Sequence, residues 1–294
     1  RSNSLFSPSR GYILRFDAEY AAPATLSEFG YARLAAEWTT YREPLRGLVL
    51  ATRVRPGWAR ALDNAGLGVH PSKRFFAGGA NSVRGFGQNR LGPQLLTIDA
   101  LDELVDPDTI LVDRDTIVFE GCTAQQINGV GNEGACNISV LADNATDRFT
   151  PRPVGGAVAF EGNLEARFPL IGSKLRGAAF VDVGQIWTAG ARVRLADLIW
   201  TPGVGLRYSS AIGPIRIDLG YNTQGGEQLQ VLTNKVCKRV DGECRSDSIM
   251  EGVVYPREDL ENTRELTTLG QVPWGMNRSP WNRLQLHFSI GQAF

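Results

Sequence analysis

The segment Phe75-Phe76-Ala77-Gly78-Gly79-Ala80-Asn81-Ser82-Val83-Arg84-Gly85-Phe86 places one guanidinium on a tight, otherwise apolar turn. Its glycines permit the backbone excursions such a turn needs. Its arginine supplies a planar, permanently charged fork that needs an acidic partner wherever it is buried. The four cysteines lie as Cys122/Cys136 and Cys237/Cys244. They allow three pairings, and local spacing favours those two disulfides, which implies an oxidising compartment and an exported protein. With His70 and His287 alone and no C-x-x-C, a metal centre is not expected. The glycines at 78–87 lack the Gly-Lys-Ser/Thr of a phosphate loop. A Ser-His-Asp triad would have to use His70 or His287, and His287 alternates inward on the final strand with no nucleophile motif near it; the acidic run from Asp99 to Asp115 lacks calcium-loop spacing. That run reads as a solvated loop with a hairpin through residues 109–112 and 116–119. The expectation is a protein without enzyme activity, cofactor or metal.

Composition narrows the class. The 31 basic and 31 acidic residues balance, so there is no electrostatic footprint of a nucleic-acid partner. No run of 18 apolar residues exists to span a bilayer as a helix. The opening Arg1-Ser2-Asn3-Ser4 has no signal-peptide pattern, as expected of a mature product or a piece of a longer one. Short apolar segments among 33 glycines and 15 prolines favour an all-β fold.

Alternation supplies the elements that must position the chemistry. In residues 12–20, Tyr12, Leu14, Phe16, Ala18 and Tyr20 oppose Arg15, Asp17 and Glu19. The same period of two recurs in residues 32–38 and 48–55, and in Phe160–Phe168 opposite Glu161, Asn163, Glu165 and Arg167. It returns around Asp182 and Arg207, in residues 215–221, and in Leu284, Leu286, Phe288 and Ile290. These are eight strands, each long enough to cross a membrane when tilted. Their apolar faces end in Tyr20, Trp38, Trp58, Trp187, Tyr208 and Tyr221, the aromatic girdle that a bilayer selects. The fold class read here is an antiparallel transmembrane β-barrel with outer-membrane lipid against its apolar face. Leu164, Leu206 and Leu219 then face lipid. Arg207 faces inward and is expected to tolerate loss of charge far better than they tolerate its gain. Glu165 and Asp182 also point inward, as solvated wall or as partners of a cation.

Connections alternate as well. Residues 42–47, 169–174 and 209–213 are short turns, whereas 21–30, about 59–155, 188–200 and 222–283 are long. Short turns at the periplasmic end and long external loops describe an outer-membrane barrel. With an even number of strands, both chain ends are expected at the periplasm. The whole chain, 1–294, reads as one barrel domain with large external loops.

The segment ending Val83-Arg84-Gly85-Phe86 closely resembles the loop-six signature of the BamA/TamA family of outer-membrane barrel proteins. Gly162–Pro169, Ala179–Trp187, Gly203–Tyr208 and Gly213–Asp218 are similar to the strands that follow that loop, and Phe288–Phe294 to the family's terminal strand. The resemblance implies that the loop folds back into its own barrel and is anchored there by Arg84 on Glu165 and Asp182. It also implies that Phe288, Ile290 and Phe294 belong to the signal read during barrel assembly. Family barrels have sixteen strands and follow POTRA domains, so this chain would be the C-terminal half and contains no POTRA domain. Physics agrees that eight strands are too few, because a closed eight-stranded barrel is filled by its own side chains and leaves no room for the loop tip. The missing wall is expected upstream in the same precursor, with a second chain as the alternative.

The function implied is insertion or folding of other β-barrel proteins into the bacterial outer membrane, without nucleotide. Unfolded clients, the upstream half-barrel, POTRA domains and accessory subunits are the implied partners. The alternatives are a two-partner-type secretion pore, which shares the loop signature, and a passive porin-like channel, which does not need it. The loop at 222–283 is unusually large for the family.

Overall fold

The structure is a computed structural model and describes residues 3, 8–22, 30–62, 68–101, 110–111, 117–118, 122–130, 138, 149–172, 174–210, 213–240, 243–250, 259–275 and 280–291. In chain order the strands are β1 (Gly11–Ala21), β2 (Tyr31–Leu45), β3 (Leu48–Ala61), β4 (Gln94–Ile98), β5 (Ile110–Leu111), β6 (Ile117–Val118), β7 (Thr150–Pro153) and β8 (Val158–Ile171). They continue as β9 (Leu175–Trp187), β10 (Ile199–Ser210), β11 (Gly213–Tyr221), β12 (Glu227–Val240), β13 (Glu243–Arg245), β14 (Leu260–Trp274) and β15 (Leu284–Ile290). One short helix, α1 (Ala124–Asn128), is closed at its start by a capping box between Thr123 and Gln126. No described helix is long and apolar enough to cross a membrane.

The eight alternating segments form one antiparallel sheet in the order β1-β2-β3-β8-β9-β10-β11-β15. The fold is all-β. Short turns join β2 to β3, β8 to β9 and β10 to β11. One face of the sheet is apolar and exposed, with Leu14, Phe16, Trp38, Leu164, Val204 and Leu286 among its residues. The other face carries the polar residues of each strand, and there Arg53, Glu161, Asn163, Glu165, Arg167, Asp182, Arg207, Arg216 and Asp218 are buried. This is the reverse of a water-soluble protein, in which charged groups are the residues least often fully buried.

Chain contacts divide the molecule into two compact units. The first holds residues 1–93, 153–225 and 277–294, including the eight-stranded sheet. The second is built from the two longest connections, residues 94–152 and 226–276. Sequence reading leaves 222–283 as a loop, yet it contains the long antiparallel hairpin of β12 and β14. On its other side β12 takes β4 in parallel and β13 antiparallel. A core of Leu96, Ile98, Ile127, Val231, Val236 and Val272 lies beneath this sheet. Cys237 and Cys244 are joined by a disulfide, with Cα atoms 5.6 Å apart. Cys122 is also disulfide-bonded, and its expected partner Cys136 lies outside the described residues. The expected hairpin in the acidic run appears as β5 paired with β6.

Candidate functional site

Strand register prepares a seat for the loop tip. Across β8–β11 the inward residues of one row are Glu165, Phe180, Gly203 and Gly220, continued on β15 by Gln285. The next row toward the short turns holds Arg167, Ala178, Gly205, Asp218 and His287. Large and charged side chains on β8 and β9 thus face a glycine window on β10 and β11. A Cβ at Gly203 would fall 2.2 Å from the Phe180 ring, and one at Gly220 would fall 2.3 Å from the carbonyl oxygen of Arg84. Glycine is required at both positions by close approach.

Arg84 sits in that seat, 1 % exposed. Its Nε donates to Asp182 Oδ2 at 2.8 Å, its Nη2 to Asp182 Oδ1 at 2.8 Å, and its Nη1 to Glu165 Oε2 at 2.5 Å. Asp182 Oδ2 also accepts the Arg84 backbone N–H at 3.0 Å. The guanidinium lies over the Phe180 ring, 3.4 Å from its centroid, so a cation–π contact covers a face that hydrogen bonds cannot use. Both Glu165 and Asp182 are fully buried. Bidentate, charge-assisted pairing of this kind fixes orientation as well as position.

Around this centre lie groups that sequence reading does not connect to it. Arg167 Nε donates to Glu165 Oε1 at 2.7 Å, and Arg207 bridges Glu165 at 2.9 Å and Asp218 at 2.6 Å. Arg216 donates to Asp218 Oδ2 at 2.9 Å, to the Ala80 carbonyl at 2.9 Å and to Asn81 Oδ1 at 3.0 Å. Four guanidinium groups therefore share three carboxylates. Arg207 is no solvated wall residue: it is buried among two carboxylates, so the expectation that Arg207 is readily neutralised is corrected. The signal available for all these residues is phase, since each alternates inward with Glu165 and Asp182.

The rest of the turn is tied down separately. Arg53 donates to the Asn81 carbonyl at 2.9 Å and to Asn163 Oδ1, while Asn163 Nδ2 donates to the Ser82 carbonyl at 2.8 Å. Ser82 and Arg55 both reach Glu161. Val83 and Phe86 are buried with Ala77, Leu91, Ala159 and Ile186. Gly85 has Thr201 and the Tyr221 carbonyl where a Cβ would be. At the loop's approach, outside the strands, Lys73 Nζ donates to Glu19 Oε2 at 2.5 Å, and this bond raises the lysine pKa.

The terminal strand enters the same site. His287 Nε2 donates to the Arg84 carbonyl at 2.9 Å, which selects the Nε2-protonated tautomer. Phe288 and Ile290 of β15 point to the exposed apolar face, and Phe294 lies outside the described residues. Cys122, Cys237 and Cys244 belong to the second unit and not to this site. Among the described residues no group of His, Cys, Asp and Glu is placed to hold a metal.

A family profile, the Omp85 superfamily domain, matches residues 1–294. The chain belongs to the Omp85 superfamily. Among solved structures it is similar to BamA from Haemophilus ducreyi lacking POTRA domains 1–3, at 16% identity and a TM-score of 0.50. That match covers 76% of this chain and 37% of the other, so the chain corresponds to well under half of that protein. At this identity the likeness speaks for the barrel fold, and the superfamily carries the family assignment.

Proposed function

We propose that this Omp85 chain is the C-terminal half of an outer-membrane barrel that inserts or folds other β-barrel proteins, with its short turns and both chain ends toward the periplasm. One observation carries the reading: the Arg84 tip docks on the inner face of the sheet and is bonded to the terminal strand β15 through His287. A loop fixed across the inner face obstructs a passive channel. Among the described residues β15 pairs with β11 alone, and in this reading its other edge meets the upstream strands across a seam that can open to an incoming strand. A free edge is a template on which an incoming strand can complete its hydrogen bonds. In hydrocarbon each unpaired backbone group costs several kcal/mol, so pairing there is strongly driven. The partners in this reading are lipid, unfolded barrel clients, the upstream strands and POTRA or accessory subunits.

The test is reconstitution of the full-length precursor in liposomes with an unfolded small β-barrel added outside. The expected result is faster client folding, lost in Arg84→Ala. Export of a soluble polypeptide without faster folding would assign the chain to secretion instead. Steady ion conductance alone would make it a channel.

A further inference from the structure

The apolar face of the sheet is interrupted at one place. Register sets Thr40 of β2 opposite Thr52 of β3, on a row flanked by Tyr12 of β1 and Leu164 of β8. One row away from the short turns stand Trp38 and Val54, and one row toward them stand Arg42 and Leu50. Short hydroxyl side chains among tall neighbours leave a trough. Its volume is about 260 Å³, and Trp38, Thr40, Arg42, Leu50, Thr52 and Leu164 line it. Trp38 and Leu164 are themselves exposed, so the trough opens outward, on the side that meets the bilayer.

Arg42 decides what the trough fits. Among the described residues of β1, β2, β3 and β8, the outward face carries two cations, Arg42 near the short turns and Arg60 near the other end. A guanidinium on a lipid-facing wall costs most at mid-bilayer and little near the interface, where its stem lies along apolar surface and its head reaches the headgroups. No carboxylate answers Arg42 on this face. Its cross-strand partner is Leu50, and the next residue, Glu43, accepts the Gly47 N–H at 3.0 Å and pairs with Arg10 at 3.4 Å. From Arg42 the trough runs four residues along β2 to Trp38, about 13 Å at the usual rise of a strand. A cation at the membrane surface, two hydroxyls below it and apolar walls running inward match the order of phosphate, glycerol ester and acyl chain in an anionic phospholipid.

We propose that this trough binds one anionic phospholipid of the leaflet at the short-turn end. The phosphate sits on Arg42, and the upper part of one acyl chain lies over Thr40 and Thr52 against Trp38, Leu50 and Leu164. Guanidinium and phosphate match in charge and in bidentate geometry. The volume suits a partial seat: pockets that enclose a whole drug-sized ligand have about 300–1,000 Å³, so this smaller, open trough holds part of one lipid while the rest stays among its neighbours. The trough itself stands on the barrel fold alone. That its leaflet is the periplasmic one rests on the orientation proposed above.

The test is native mass spectrometry of the full-length protein released from detergent micelles, titrated with phosphatidylglycerol, phosphatidylcholine or soluble glycerol phosphate. One phosphatidylglycerol should be retained saturably and more tightly than phosphatidylcholine. Arg42→Gln should weaken its retention about tenfold, the loss of one charge-assisted hydrogen bond, and remove the preference over phosphatidylcholine. Thr52→Leu fills the trough with the charge untouched and should weaken retention of both lipids. That variant keeps the test valid if Arg42→Gln folds poorly. Arg60→Gln, at the opposite end of the same face, should change nothing. Three results would overturn the site: equal retention of the two lipids by the wild type, phosphatidylglycerol retention unchanged by either Arg42→Gln or Thr52→Leu, or glycerol phosphate held as tightly as the lipid. Micelles have no leaflets, so failure here removes the lipid seat and leaves the assembly reading to the client-folding assay.

Discussion

Strand β8 and strand β12 have the same length and opposite interiors. In β8 the buried residues include Glu161, Asn163, Glu165 and Arg167 beside the small Ala159 and Gly162, while Leu164 is 51 % exposed. In β12 the buried residues include Leu229, Val231 and Val236, and Gln228 and Gln230 face out. The second arrangement is the ordinary result of the hydrophobic effect in water. The first makes sense when the solvent outside is hydrocarbon, because lipid then covers the leucines and the charges must find one another inside. The two units also differ in what fixes their geometry. The sheet of the first is held to its loop by directional ion pairs, whereas the second uses an apolar core and a disulfide closing a short loop, worth about 2 kcal/mol by chain entropy.

The largest effect expected from this contrast is at Arg84. A buried ion pair contributes little net stability when intact, because desolvation offsets attraction, but removing one partner strands the other's charge. Arg84→Ala would leave Asp182 and Glu165 with fewer donors and empty the space over Phe180. Its expected cost is about 3–5 kcal/mol, less if lumen water reaches the carboxylates. Arg90→Ala, just beyond the signature, should cost far less. Urea titration of the full-length protein in micelles measures both. The second unit should keep its own unfolding transition in Arg84→Ala, since it is a compact unit with an apolar core of its own. Equal losses for the two variants would remove the clamp as the determinant of loop seating.

A pair of leucines sharpens the comparison at somewhat lower energy. Leu164 on β8 and Leu266 on β14 are similarly exposed, at 51 % and 59 %. Leu164→Arg puts a charge into lipid near mid-strand and should cost roughly 2–4 kcal/mol. Leu266→Arg should stay within about 0.5 kcal/mol, as a surface change in water does. The same leucine-to-arginine change thus reports which solvent each unit meets. Folding titrations in lipid vesicles decide it, and equal effects would mean that both faces meet the same solvent.

The sequence makes the first unit legible because each of its strands is locally self-consistent: alternation around Asp182 or Arg207 needs no knowledge of the partner strand. Glu165 and Asp182 can be placed inward on that basis alone. What alternation cannot supply is which inward groups meet. Asp218, Arg216 and Phe180 join the clamp only through register, and Gly203 and Gly220 gain meaning only once the tip lies over them. The second unit is illegible for a different reason. Pairing of β12 with β14 shifts register at Val231/Leu232 and again at Asn234/Val236, which breaks the period of two. Its other neighbour, β4, comes from far earlier in the chain. Arg207 shows the cost of reading phase without neighbours, since inward facing does not by itself mean wet.

The smallest effect lies at the edge of the sheet. Strand β8 is bonded on both sides, by β3 and β9, whereas β15 is bonded to β11 alone among the described residues. In an antiparallel edge strand, alternate N–H groups point toward the partner and away from it. Half of the β15 amides therefore depend on whatever meets the free edge. Gly291 follows immediately with φ at 107°, and its N–H still donates to the Pro214 carbonyl of β11 at 2.8 Å. His287 also ties the middle of β15 to the Arg84 carbonyl. Hydrogen exchange in micelles should therefore be faster across Leu284–Ile290 than across Phe160–Phe168, with the residues nearest His287 the slowest of β15. His287→Ala should speed exchange in β15 while leaving β8 unchanged, and His287→Gln, which keeps a donor, should restore much of the difference. Edge protection equal to that of β8 in the full-length protein would mean that the seam is closed by stable pairing, and would leave the free-edge mechanism without its template.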